Sequence, residues 1–163
     1  MRIGIVNDMR AACEALRRVV DSMPDHEVVW TAGDGVDAIA MARRDKPDLI
    51  LMDLLMPHVN GVEATRQIMK GSPCAILVVT ATVSGNISLV YEAMGHGALD
   101  AVDTPILGAA GEVSGAGALV EKIRTIAKLI GATSRPRATS AGGHTAPPRL
   151  MVVGASTGGP KAI

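Results

Sequence analysis

Five short apolar runs alternate along the chain with stretches of helical periodicity. The runs are Arg2 to Val6, Val28 to Ala32, Leu49 to Met52, Ala75 to Thr80, and Ala101 to Val102 with its flanks. Each is hydrophobic continuously rather than at alternate positions, which predicts strands covered on both faces. Between them, Ala11 to Ser22, Gly35 to Arg44, Gly61 to Met69 and Ile87 to Gly95 repeat their apolar residues at helical spacing, and a last helix is expected from Ala118 to Ile130. A β-α repeat of this kind closes as an open, doubly wound parallel α/β sheet with right-handed crossovers. Its ligands are expected at the carboxyl ends of the strands, beside the switch in strand order.

After Ile130 the pattern stops. Gly131 to Pro148 is rich in Gly, Ser, Thr and Pro and offers almost nothing to bury, so a flexible linker is expected over 131–149. Leu150-Met151-Val152-Val153 then runs into Gly154-Ala155-Ser156-Thr157-Gly158-Gly159-Pro160, which reads as the truncated start of a second α/β domain over 150–163. The first domain is expected over 1–130. Within it Gly108 to Gly117 is a Gly/Ala-rich insertion, expected to be mobile because ordering glycine carries a large entropic cost.

Composition narrows the function classes. Sixteen basic and sixteen acidic residues cancel, and no Lys/Arg block stands out, so there is no electrostatic footprint for nucleic acid or an anionic membrane. Trp30 and Tyr91 are the only aromatics, which disfavours a stacking surface for bases. Cys13 and Cys74 belong to no CxxC or Cys/His cluster and read as buried, reduced thiols. No run has the length of a membrane span and no leader pattern opens the chain, so a cytoplasmic location without membrane insertion is expected.

The candidate chemistry sits where strands end. Asn7 and Asp8 follow the first run, Asp53 the third, Thr80 the fourth, and Asp103 and Thr104 the fifth. Asp8 and Asp53, converging with backbone carbonyls, would form an oxygen-rich pocket suited to Mg²⁺, which takes few protein ligands and leaves positions open for phosphate oxygens. Such an ion would shield an anionic phosphoryl donor approaching an aspartate nucleophile. Thr80 could then hydrogen-bond a product oxygen. Downstream, Gly154 to Gly158 satisfies G-x-S-x-G at a strand-to-helix turn, where Ser156 would be presented as a nucleophile. The same glycines, with Pro160 at a helix start, fit a phosphate cradle or a plain turn equally well.

The stretch Asp53 to Gly61, Asp-x-x-Met-Pro-x-x-Asn-Gly, together with Asp8 near the end of the first strand, resembles the receiver domain of two-component response regulators, and the resemblance covers residues 1 to about 130. It implies a flavodoxin-like fold with Asp53 as phosphoacceptor. Asp8 and the Leu55 carbonyl would bind Mg²⁺, and Thr80 would be the switch hydroxyl. Three positions depart from the family pattern. Asn7 stands where a second acid is usual, leaving a weaker contact to the ion or its water. Thr104 stands where the family has a lysine, so a mobile cation becomes a neutral hydroxyl. Ala101 stands at the aromatic switch position. They leave open an atypical working switch or a receiver that signals mainly unphosphorylated.

A receiver, a Pro/Gly linker and Gly-Ala-Ser-Thr-Gly-Gly-Pro together resemble the chemotaxis protein-glutamate methylesterases of the CheB type. Residues Met1 to Met9 and Glu92 to Pro105 look closest to its WspF branch. The resemblance implies a CheA-like histidine kinase as donor and methyl-accepting chemoreceptors as substrates for ester hydrolysis and glutamine deamidation. It makes Ser156 the catalytic nucleophile of an esterase domain whose His and Asp lie outside this chain. His58, His96 and His144 are then surface or loop histidines. The chain itself is expected to lack esterase activity, since a serine without its base and oxyanion donors is a poor nucleophile. A stand-alone receiver acting as a phosphorylation-gated binding module is the alternative. An aspartate phosphatase fits less well, because Asp53-Leu54-Leu55 lacks the acid two residues on that such enzymes use.

Overall fold

The structure, a computed structural model, describes residues 1–134. Residues Met1–Ala127 form one compact unit. Five strands, β1 (Arg2–Val6), β2 (Glu27–Ala32), β3 (Leu49–Met52), β4 (Ala75–Thr80) and β5 (Asp100–Asp103), pair in parallel in the order β2-β1-β3-β4-β5. Helices α1 (Arg10–Asp21), α2 (Gly35–Arg44), α3 (Gly61–Gly71), α4 (Ile87–Gly95) and α5 (Gly117–Ser134) connect and follow them. This is the doubly wound α/β sheet that the unbroken apolar runs predict. The chain steps from β1 outward to β2 and returns to β3 on the other side, so the carboxyl ends of β1 and β3 flank the point where strand order reverses.

The core follows the pattern. Every side chain of β3, and Ile76 to Thr80 of β4, is inaccessible to solvent or nearly so. Two helices start on side-chain caps: Asp34 accepts from the Asp37 N–H at 2.9 Å, and Asn60 from the Glu63 N–H at 3.0 Å. Gly4 in β1 is required by its neighbour on β2. A Cβ there would come within 2.6 Å of the Trp30 ring, whose Nε1–H donates to the Asp45 carbonyl at 2.9 Å. Cys13 and Cys74 are free and only half-buried, a correction to full burial, though desolvation still pushes the Cys74 thiol up to about 11.

Two further expectations change. The insertion after β5 is not a formless segment: Ile106–Leu107 (β6) and Val113–Ser114 (β7) pair as a small antiparallel hairpin. The Gly108 N–H donates to the Glu112 carbonyl at 2.8 Å and the Gly111 N–H to the Gly108 carbonyl at 2.9 Å. The Arg18 guanidinium of α1 donates to the Gly111 carbonyl at 2.6 Å, tying the tip of the hairpin to the body. Gly111 and Gly115 sit at φ +91° and +74°, so the glycines that suggested mobility instead permit the turns. The last helix also runs to Ser134 rather than Ile130. The rest of the expected linker, the 150–163 start of a second domain, His144 and Ser156 lie outside the described residues.

Candidate functional site

The site is assembled from backbone first. At the end of β1 the Asn7 N–H donates to the Ala32 carbonyl of β2 at 3.0 Å, continuing the ladder one residue past the strand. Asn7 is buried, and its side-chain oxygen accepts the Met9 N–H at 2.8 Å. That local turn leaves Asp8 exposed at the sheet edge. The Asp53 N–H donates to the Val6 carbonyl at 2.9 Å, so β1 and β3 hold the two acids at one crevice.

Asp53 is buried, 8 % exposed, and its Oδ1 accepts the Leu54 N–H at 2.7 Å and, more weakly, the Leu55 N–H at 3.4 Å. Its Oδ2 receives no hydrogen bond from the described residues. The turn can close so tightly only because residue 61 is glycine. A Cβ there would lie 1.9 Å from the Asp53 carbonyl oxygen, while the Gly61 N–H donates to the Leu54 carbonyl at 3.0 Å. Burial pushes the Asp53 carboxyl up to about 6; the Leu55 and Leu54 amides pull against it, and the negative charge of Asp8 adds to it.

Asn7, Asp8, Asp53, Leu55, Thr80 and Thr104 all line one cavity of about 430 Å³. Thr80 is fully buried at the end of β4, and its carbonyl accepts the Thr104 N–H at 2.9 Å, which brings the β5 end alongside. The wall contains no Lys or Arg, so Thr104 leaves the cavity without a cation among the described residues. The rim is apolar: Met9, Leu55 and Ile106 line it and are each more than half exposed. Ala101 stands apart, half-buried and packed against the core rather than at the cavity. His58 and His96 are exposed, as surface histidines should be; His58 Nδ1 lies 3.1 Å from Asp34 Oδ2.

The donor set suits a hard cation that binds few protein groups. Among the described residues no cluster of three His, Cys, Asp or Glu could hold a metal, which leaves Asp8, Asp53 and the exposed Leu55 with its carbonyl. Two carboxylates that repel each other in a partly desolvated crevice gain from such an ion, and Mg²⁺ keeps most of its waters. Asn7 is a weak candidate, because its oxygen already serves the Met9 amide. Sequence patterning did not single out Asn86, whose amide reaches Thr80. Its only signal was its place immediately before a helical pattern, where Asn is a common cap.

A family model described as the response regulator receiver domain matches residues 3–109. The chain belongs to that family. It also superposes on the response regulator domain of Thermotoga maritima CheB with a TM-score of 0.66 and 32 % identity, covering 80 % of this chain and 96 % of that one. Along its whole length the receiver chain is 54 % identical to a protein-glutamate methylesterase/protein-glutamine glutaminase of Mesorhizobium japonicum and 53 % identical to another of Burkholderia thailandensis. It spans about half the length of these curated relatives, 49 % and 48 %. No helix among the described residues is long and apolar enough to cross a membrane.

Proposed function

We propose that Asp53 accepts a phosphoryl group and that the receiver thereby regulates a protein-glutamate methylesterase/glutaminase domain that begins near Leu150. The observation that carries this reading is the convergence of Asp8, Asp53 and Thr80 on one cavity at the strand-order switch. Asp53 Oδ2 attacks the donor phosphorus as the bond to the leaving group breaks and its electron pair departs with that group. Above about pH 6 Asp53 is ionised and can act as nucleophile without a general base. Mg²⁺, held by Asp8, Asp53 and the Leu55 carbonyl, would supply charge neutralisation for the incoming phosphoryl oxygens. Thr80 donates to a phosphoryl oxygen on the product.

The CheA-like kinase as donor, chemoreceptor glutamyl esters as substrate and Ser156 as esterase nucleophile belong to this proposal, of which the methylesterase/glutaminase activity is supported by the names of the relatives. Gating follows if the phosphorylated and unphosphorylated receivers bind the esterase domain with different affinity. The domain division 1–130, 131–149 and 150–163 belongs to the same reading.

Intact mass after incubation with Mg²⁺ and acetyl phosphate tests the first step. A phosphoryl adduct on the parent that is absent from Asp53→Ala is expected; a folded parent that gains none overturns it. The regulatory step is read on the longer protein containing the complete esterase domain, as release of methanol from a methylated receptor peptide. Phosphodonor should raise that rate, and an unchanged rate would leave Asp53 phosphorylation without an esterase role.

A further inference from the structure

The hydroxyl of Thr80 has one proton, and the structure indicates where it is not spent. Asn86 Nδ2 lies 3.0 Å from the Thr82 carbonyl and 3.1 Å from Thr80 Oγ1. A carbonyl can only accept, so the Thr82 contact fixes this end of the side-chain amide as the NH₂ group. An NH₂ group can only donate, so Thr80 is the acceptor in the second bond. Its own proton is left over, and no described residue takes it. Thr80 is fully buried and lines the cavity beside Asp53, so that proton has an acceptor only when an oxygen occupies the cavity. The rest of the turn is braced: the Gly85 N–H donates to Thr82 Oγ1 at 2.8 Å and the Val83 N–H to Asp103 Oδ1 at 2.7 Å. Asn86 itself closes the 3₁₀ turn Ser84–Asn86 that leads directly into α4.

We propose that Asn86 is a positioning residue: by donating to Thr80 Oγ1 it reserves the Thr80 proton for the phosphoryl group on Asp53 and links that hydroxyl to the start of α4. The inference rests on Asp53 being the phosphoacceptor. The transfer itself exchanges the donor's P–O bond for one to Asp53, and the Thr80 proton forms a hydrogen bond without leaving its oxygen. Asn86→Ala removes the donor and frees the hydroxyl to rotate. Asn86→Asp keeps the shape but presents oxygens that only accept, so it competes for the proton.

The test measures adduct formation on Asp53 from acetyl phosphate with Mg²⁺ by intact mass, for the parent, Asn86→Ala, Asn86→Asp, Thr80→Val and the double variant Thr80→Val/Asn86→Ala, each shown folded by circular dichroism. Asn86→Ala should slow the reaction about five-fold, the rate equivalent of one ordinary hydrogen bond, and Asn86→Asp at least as much. In the Thr80→Val background Asn86→Ala should change nothing further, since the only hydroxyl it orients is gone. A parent-like rate for Asn86→Ala or Asn86→Asp overturns the inference. So does an equal slowing with and without Thr80, which would make Asn86 merely structural. In those outcomes the parent still labels and the phosphoacceptor reading stands. A folded parent that does not label brings down both.

Discussion

The inner strands and the β5 edge of the same sheet are built on different principles. In β3 all four side chains, Leu49 to Met52, are inaccessible, and the strand is hydrogen-bonded on both sides by β1 and β4. In β5 only Val102 is buried, while Asp103 is exposed and Asp100 pairs with Lys122 at 2.5 Å. The acid that follows β3 inherits the rigidity and low polarity of its strand, and burial moves its titration to about 6. The residue that follows β5 joins the site through one backbone bond, Thr104 N–H to the Thr80 carbonyl. The three residues expected to depart from the receiver pattern divide along the same line: Thr104 and Ala101 belong to the edge, and Asn7 to the inner crevice. Chemistry that must hold its geometry sits on the inner strands, and side chains at the edge can vary at little cost to the fold.

The largest effect expected is at the centre of the inner site. Asp53→Ala should abolish the phosphoryl adduct altogether, whereas Thr104→Ala, at the edge, should leave adduct formation measurable by the same mass assay. Equal loss in both would dissolve the distinction. Next, Gly61→Ala should lower stability by about 3 kcal/mol in chemical denaturation, because the added methyl would have to displace the Asp53 carbonyl or the whole turn. A change below about 0.5 kcal/mol would mean that the turn is looser than its contacts indicate.

Asp53→Asn should stabilise the protein, and its pH dependence tests the buried-charge argument. In the folded chain burial raises the Asp53 pKa from 3.8 to about 6, so between those values the native state holds more protons than the unfolded one. Stability therefore falls as pH rises through that window, and the penalty is complete above about 6. Asparagine carries none of it. The gain, at most about 3 kcal/mol, should appear at pH 7 in EDTA and vanish below pH 4 in paired denaturation curves. A gain independent of pH would point to packing rather than charge. The smallest effect belongs to the edge again: Lys122→Ala breaks a half-exposed ion pair to Asp100 and should cost about 0.2 to 1 kcal/mol, less at high salt.

Much of this was legible along the chain for a simple reason: a strand covered on both faces must be apolar throughout, and a site at its end must begin where that run breaks. Asp53, Thr80 and Asp8 were found in that way. The hairpin after β5 was not, since Ile106–Leu107 and Val113–Ser114 are two residues each and their glycines read as mobility until the Arg18 contact is seen. Asn86 was equally silent, because its partner Thr80 lies six residues away across a turn whose path no periodicity describes.

By itself the sequence determined the order of elements and the polar residues at the strand ends, because those depend on residue type and local spacing. Only the tertiary structure decided that Asn7, Asp8, Asp53, Leu55, Thr80 and Thr104 share one cavity while Ala101 does not, that Asp53 holds its proton to about pH 6, and that Thr80 keeps a donor unspent. Burial, electrostatic proximity and hydrogen-bond direction arise from which strands become neighbours, and strand order is not written in any one segment.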